Sequence, residues 1–116
     1  MTIQELEQLW QKEIAEQQEK YRDIDLNLSD VKVELHNATW CPDCVRECSE
    51  LLAIKAALGS KAPKVSLISY EDKEHYMSNK ASLDINCLPT IVFTRGEQEF
   101  ARIEEDSQGK TLGLIS

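Results

Sequence analysis

The sequence is short of the features that mark several large classes of protein. It has only 4 glycines and 3 prolines among 116 residues, which excludes collagen-like and low-complexity chains. No apolar run approaches the roughly 20 residues that a membrane-spanning helix requires, so no membrane association through such a helix is expected. The first 20 residues are charged and rich in glutamine, and they lack the basic start and apolar centre of a secretory signal.

Positive charge is also scarce. Lysine and arginine total 13 against 21 aspartates and glutamates, which gives a formal net charge of -8. Phosphates would be repelled over most of such a surface, so neither nucleic acid nor an anionic membrane is an expected partner. Hydrophobic residues make up 41% of the chain. This is enough for a single domain over 1–116, and the length is too small for two.

Hydrophobic periodicity predicts the order of the elements. The predicted helices are 2–22, 42–58 and 71–82, and the predicted strands are 31–35, 64–69, 91–95 and 97–103. The domain then consists of an N-terminal helix and connector over 1–30, a core over 31–103 and a short tail over 104–116. We expect the N-terminal helix to pack on its own domain, because only one of its faces is apolar.

The connections predict the kind of sheet. The first two strands are joined by a crossover helix and should be parallel, whereas the last two form an antiparallel hairpin that turns at Gly96. The fold class is therefore α/β, with a central mixed sheet of about four strands flanked by helices. Lys32 and Glu34 alternate with apolar residues, so one face of the sheet has little cover. Either the N-terminal helix or a second copy of the chain, as a homodimer, could cover it.

The four cysteines stand at 41, 44, 48 and 87. Three of them lie within eight residues, and no signal peptide precedes them. In a cytoplasmic setting this spacing favours redox chemistry or metal binding over structural disulfides.

One motif dominates, Trp40-Cys41-Pro42-Asp43-Cys44, at the end of a strand and the start of a helix. A helix N-terminus has unpaired N–H groups and partial positive charge, which favour a thiolate at Cys41. Cys44 lies inside the first turn, where it would be more covered but close enough to form a disulfide with Cys41. Cys41 is thus the expected nucleophile and Cys44 the resolving thiol. Trp40 would shade one side of the pair and present an apolar contact surface.

The motif resembles that of the thioredoxin family, and so does Leu88-Pro89-Thr90, which follows about 45 residues later and precedes the hairpin. The resemblance covers about 31–103 and implies a thioredoxin-like fold. It implies the same roles for Cys41 and Cys44, and a cis peptide at Pro89 that faces the pair as a platform for substrate. Leu88 would offer its main chain to an extended substrate, and Thr90 matches the threonine often found after that proline.

Two departures from the family concern the chemistry. Typical thioredoxins carry Gly-Pro between the cysteines, whereas this chain has Pro42-Asp43. Repulsion by the Asp43 carboxylate predicts a less readily ionised nucleophile and a couple that leans towards reductant. Many thioredoxins also bury an acid six residues before the nucleophile, where this chain has Leu35. Glu34 should point to the opposite face of the strand, which leaves Asp43 or water to accept the Cys44 proton.

The expected function is a thiol–disulfide oxidoreductase in the cytoplasm that reduces protein or small-molecule disulfides. A partner reductase or a low-molecular-weight thiol would keep it reduced, and no bound cofactor is needed, because the cysteine pair carries the electrons. A redox-inactive interaction module is one alternative. The other is a metal-binding domain that uses Cys41, Cys44 and Cys48 with His36 or Cys87, although the first three do not converge easily on one tetrahedral ion.

Other conspicuous residues have simpler interpretations. Cys48 is expected to be a small buried apolar residue, and Cys87 either packs or modulates the site from the loop before Pro89. We expect His36 and His75 to be solvated. The acidic run over 104–106 is interpreted as a solvated tail.

Overall fold

The computed structural model describes residues 2–38, 41–70, 87–105 and 111–115, together with residues 74, 77 and 107. Trp40, His75 and most of the helix predicted over 71–82 lie outside these residues. None of the described helices is long and apolar enough to cross a membrane.

The helices and strands follow the predicted order. The helices are α1 (Ile3–Leu9), α2 (Gln11–Gln18), α3 (Pro42–Leu58) and α4 (Thr111–Ile115), with 3-10 turns at Glu19–Tyr21 and Gly59–Lys61. The strands are β1 (Val31–Asn37), β2 (Lys64–Ser69), β3 (Thr90–Arg95) and β4 (Gln98–Glu104).

The four strands form one sheet in the order β2-β1-β3-β4. β1 pairs in parallel with β2 and antiparallel with β3, and β3 pairs antiparallel with β4. The parallel pair follows from the crossover through α3. The hairpin turns at Gly96, whose φ of 67 degrees lies in the left-handed region that glycine enters at little cost. This confirms the predicted mixed sheet with flanking helices and an N-terminal helix.

The N-terminal helix is interrupted, whereas one continuous helix was predicted over 2–22. α1 begins with a capping box, in which Thr2 and Glu5 each accept a hydrogen bond from the other's backbone N–H. At Trp10 the backbone leaves the helical region, with φ -109 degrees, before α2 begins. Leu6, Trp10 and Ile14 are all buried. All three belong to the same core cluster.

The N-terminal helices pack within the domain, as expected. Their buried residues belong to the same core cluster as those of β1 and α3. The Tyr21 hydroxyl also donates a buried hydrogen bond of 2.9 Å to Glu50 Oε1 on α3.

Lys32 and Glu34, on the other face of the sheet, are exposed. The idea that the N-terminal helix covers that face is therefore wrong, and the homodimer stays a prediction.

The C-terminal residues are more ordered than the predicted tail. Strand β4 extends to Glu104, and α4 places Ile115 in the core at 2% exposure. The Ser107 backbone N–H donates to Glu47 Oε2 at 3.1 Å, and its hydroxyl also donates to the same carboxylate. The sequence missed this because Gly109 and Gly113 weaken the helical pattern, whereas the anchoring contact comes from α3, 60 residues away.

Replacing Leu6 by alanine tests whether α1 is part of the core. Leu6 is 0% exposed, so Leu6→Ala should lower the free energy of unfolding by about 2–5 kcal/mol. Leu9 on the same helix is 55% exposed, and Leu9→Ala should change it by no more than about 0.5 kcal/mol. Urea unfolding followed by circular dichroism measures both. Equal effects of the two substitutions would mean that α1 does not pack as described.

Candidate functional site

Cys41 occupies the residue before the first turn of α3. It is the N-cap residue, with an extended backbone, and its side chain makes no capping hydrogen bond. Its carbonyl accepts hydrogen bonds from the backbone N–H groups of Cys44 at 3.1 Å and Val45 at 3.4 Å. Pro42 lies in the first turn, where a missing N–H costs nothing. The half-buried thiol is thereby held at the positive end of the helix dipole, which attracts negative charge.

Cys44 is held differently, although it is only three residues further on. Its side chain is 0% exposed, and the backbone N–H of Ala38 donates to its sulfur at 3.4 Å. Burial raises the pKa of the Cys44 thiol far above its usual range, and the Ala38 hydrogen bond acts in the opposite direction. A hydrogen bond from the Cys44 thiol to the Cys41 sulfur raises this pKa further. Both cysteines are free, so the site has one accessible thiol beside one buried, protonated thiol.

The segment before β3 lies against the cysteine pair. The peptide bond between Leu88 and Pro89 is cis. The Cys41 thiol donates to the Leu88 carbonyl, with 3.7 Å between sulfur and oxygen. The Thr90 hydroxyl, which is buried, donates to the Cys87 carbonyl at 2.7 Å and so holds the turn closed. Residues 47 positions apart in the chain are thereby brought into contact.

An ionic and backbone network, not expected from the sequence, surrounds this contact. Arg46 Nη1 lies 2.9 Å from Asp43 Oδ1, and its Nη2 donates to the Glu105 carbonyl at 3.4 Å. The Glu105 backbone N–H in turn donates to the Pro89 carbonyl at 2.8 Å. Glu105 also has a φ of 70 degrees. The side chains of the acidic run are solvated where they are described, but the Glu105 main chain is part of the site, which corrects the interpretation as a tail.

The prediction of a solvated His36 is wrong. Its side chain is 1% exposed, with Nε2 3.0 Å from Glu34 Oε1 and Nδ1 3.1 Å from the Tyr70 hydroxyl. Burial lowers the pKa of His36, while Glu34 acts in the opposite direction. Leu35 is fully buried, and Glu34 binds His36. Alternation could not reveal the burial of His36, because the cover comes from Tyr70, beyond the end of β2.

Helix α3 carries further buried polar side chains that the sequence did not reveal. Glu47 is 1% exposed and Glu50 is 5% exposed, and they bind the C-terminal and N-terminal parts of the chain as described above. Cys48 is 0% exposed, and burial raises its pKa; the interpretation as a small buried residue is confirmed. Cys87 is half-buried.

The metal alternative gains no support from this arrangement. Among the residues that the structure describes, no three His, Cys, Asp or Glu side chains come together in a way that could hold a metal ion. Cys41, Cys44, Cys48, His36 and Cys87 are all among them.

The sequence matches no protein-family model, and no curated protein matches it significantly. Solved structures do match. Trxlp from Edwardsiella tarda superimposes with a TM-score of 0.59 at 16% identity, over 88% of this chain and 89% of that one. Thioredoxin f2 from Chlamydomonas reinhardtii has a TM-score of 0.56 at 16% identity, over 85% of this chain and 88% of that one.

Fasciola hepatica thioredoxin matches with a TM-score of 0.53 at 17% identity, over 76% of this chain and 81% of that one. Identities this low carry information about the fold and not about the substrate. These matches, together with the four-strand mixed sheet and its flanking helices, show that the protein has the thioredoxin-like fold.

Proposed function

We propose that the protein is a thiol–disulfide oxidoreductase that reduces disulfides through Cys41 and Cys44. The observation that carries the proposal is the pairing of a half-buried thiol at a helix N-terminus with a fully buried one beside it. The Leu88 carbonyl lies next to the half-buried thiol. The thioredoxin-like fold supports a redox role in general.

In the first step the Cys41 thiolate attacks one sulfur of a substrate disulfide. A mixed disulfide forms between Cys41 and that sulfur, and the other substrate sulfur leaves as a thiolate. An extended substrate segment would bind along the main chain of Leu88, as an added strand does. Pro89 would form the platform beneath it, and the bond from Thr90 to the Cys87 carbonyl would keep that platform in place.

In the second step the Cys44 thiolate attacks the Cys41 sulfur. The Cys41–Cys44 disulfide forms, and the substrate leaves as a second thiolate, so two electrons pass from the cysteine pair to the substrate. The Ala38 N–H, already directed at the Cys44 sulfur, stabilises the negative charge during this step. An external dithiol or low-molecular-weight thiol then returns the pair to the reduced state.

The other predicted site residues would shape access to Cys41. Trp40, outside the described residues, is proposed to cover one side of the pair. Pro42 starts the helix, and Asp43 places a carboxylate at the rim. Cys41, Cys44 and Cys48 form no disulfide, which suits the proposed reducing, cytoplasmic setting. Substrates are proposed to be protein or small-molecule disulfides, with a reductase as one source of electrons.

Serine substitutions separate the two thiols. Cys41→Ser should lower the rate of insulin reduction by dithiothreitol to the uncatalysed rate, because the accessible thiol at the start of α3 is lost and Cys44 is buried. Cys44→Ser should trap a mixed disulfide on Cys41, which mass spectrometry detects. Cys48→Ala, which changes a buried cysteine one turn further along α3, is the matched control and should retain activity. A Cys41→Ser protein as active as the wild type would leave the interaction module as the better explanation.

The resolving step should accelerate with pH. Because burial raises the pKa of Cys44, this thiol is protonated at neutral pH. Its thiolate fraction therefore rises about tenfold for each pH unit while the pH stays below that pKa. The substrate is the symmetrical disulfide of thionitrobenzoate, which is coloured when released. Attack by Cys41 releases one thionitrobenzoate and leaves the other in a mixed disulfide on Cys41. Attack by Cys44 on that mixed disulfide releases the second. The rate of the second release should rise steeply between about pH 6 and about pH 8.

Cys44→Ser is the control for this measurement, since it should release only the first chromophore. A second release whose rate does not change with pH would show that ionisation of Cys44 does not control the step.

A further inference from the structure

Arg46 makes contacts on both sides of the cysteine site. Its guanidinium lies 2.9 Å from Asp43, the residue between Pro42 and Cys44, and 3.8 Å from the buried carboxylate of Glu47. The same guanidinium donates to the Glu105 carbonyl at 3.4 Å. These contacts use several nitrogens of one planar group, which an arginine provides and a lysine does not.

The contact with Asp43 changes the electrostatic prediction drawn from the sequence. The Asp43 carboxylate alone would repel a thiolate at Cys41, because like charges disfavour ionisation. The positive charge of Arg46 offsets this repulsion at 2.9 Å from Asp43, and the same guanidinium is shared with Glu47 at 3.8 Å. Both side chains are partly exposed, at 46% for Arg46 and 39% for Asp43, so water screens the interaction and its effect is modest.

The contact with Glu105 has a geometric consequence. Glu105 donates its N–H to the Pro89 carbonyl, and its carbonyl accepts from Arg46. A continuous path of contacts thus runs from Asp43 in the first turn of α3, through Arg46 and Glu105, to the turn that faces Cys41. This path holds the helix start against the Pro89 turn from outside the cysteine pair.

We infer that Arg46 is a positioning residue that sustains the reactivity of Cys41, by neutralising Asp43 and by joining the start of α3 to the Pro89 turn through Glu105. The inference rests on the proposed role of Cys41 as the nucleophile. In this inference a charged side chain outside the Cys-x-x-Cys motif offsets the negative charge of the carboxylate inside the motif.

The test measures alkylation of Cys41 in the reduced, full-length protein. Iodoacetamide is added at pH 7, and the Cys41 adduct is followed by mass spectrometry. Arg46→Ala should slow its formation about two- to fivefold, the range expected for loss of a solvent-screened charge pair. Arg46→Ala combined with Asp43→Asn should recover most of the rate, because the unpaired carboxylate is then gone. Arg46→Lys, which keeps the charge, should lie between Arg46→Ala and the wild type.

Arg22→Ala is the matched control. Arg22 also pairs with a carboxylate three residues away, Glu19, but at the end of the N-terminal helices, and the substitution changes the net charge equally. An equal slowing in Arg22→Ala would overturn the inference, since it would show an effect of net charge alone. A normal rate in Arg46→Ala, or no recovery in the double variant, would overturn it as well.

Alkylation also separates this inference from the proposed function. If the wild type fails to reduce insulin but the alkylation rates of Cys41 in the wild type and the variants follow the expected order, the oxidoreductase proposal fails and the role of Arg46 stands. If the wild type reduces insulin and the alkylation rates of the variants equal that of the wild type, the oxidoreductase proposal stands and the role of Arg46 fails. Urea unfolding midpoints of the variants should match that of the wild type, because Arg46 is half exposed; a large fall would mean a purely structural role.

Discussion

The contact between the start of α3 and the turn at Pro89 is the constraint on which the candidate site depends. The Cys41 thiol donates a hydrogen bond to the Leu88 carbonyl there, although neither residue lies within a helix or a strand. The sheet makes this possible, because β1 leads into α3 and β3 follows Pro89, and the two strands are neighbours. Adjacent strands therefore bring Cys41, the proposed nucleophile, and Pro89, the proposed substrate platform, to the same edge of the sheet.

Helix α3 is held in place by more than apolar packing. Its buried carboxylates bind in two directions, with Glu50 accepting from Tyr21 and Glu47 accepting from Ser107. A buried carboxylate is costly unless its oxygens have hydrogen-bond partners, so each contact fixes the rotation of the helix as well as its position. The orientation of Cys41 and Cys44 at the start of the helix depends on that rotation, because α3, together with its N-cap residue, carries all four side chains as one rigid helix.

The parts of the fold that the sequence predicted are those encoded by local pattern. The strands predicted at 64–69 and 91–95 and the helix that starts at Pro42 have periodicity and end signals that do not depend on distant residues. The Cys41–Cys44 spacing predicted the site for the same reason.

The missed features all depend on tertiary contacts. The burial of His36 depends on Tyr70, 34 residues later. The bridge from Arg46 to Glu105 joins residues 59 apart. An Asp followed three residues later by an Arg on a helix is a detectable signal, but only the fold shows that it lies beside the Pro89 turn.

The amide at Ala38 has a consequence for how protons would move in the proposed reaction. A peptide N–H can stabilise an anionic sulfur, but it has no lone pair that could accept a proton. Cys44 must therefore give its hydrogen to another base, and the thiolate expelled when the mixed disulfide forms is one that the reaction itself supplies. The basicity of that departing thiolate would then help to determine which disulfides are reduced quickly. Substrate preference would therefore depend on the acidity of the substrate's leaving thiol as well as on the shape of the substrate.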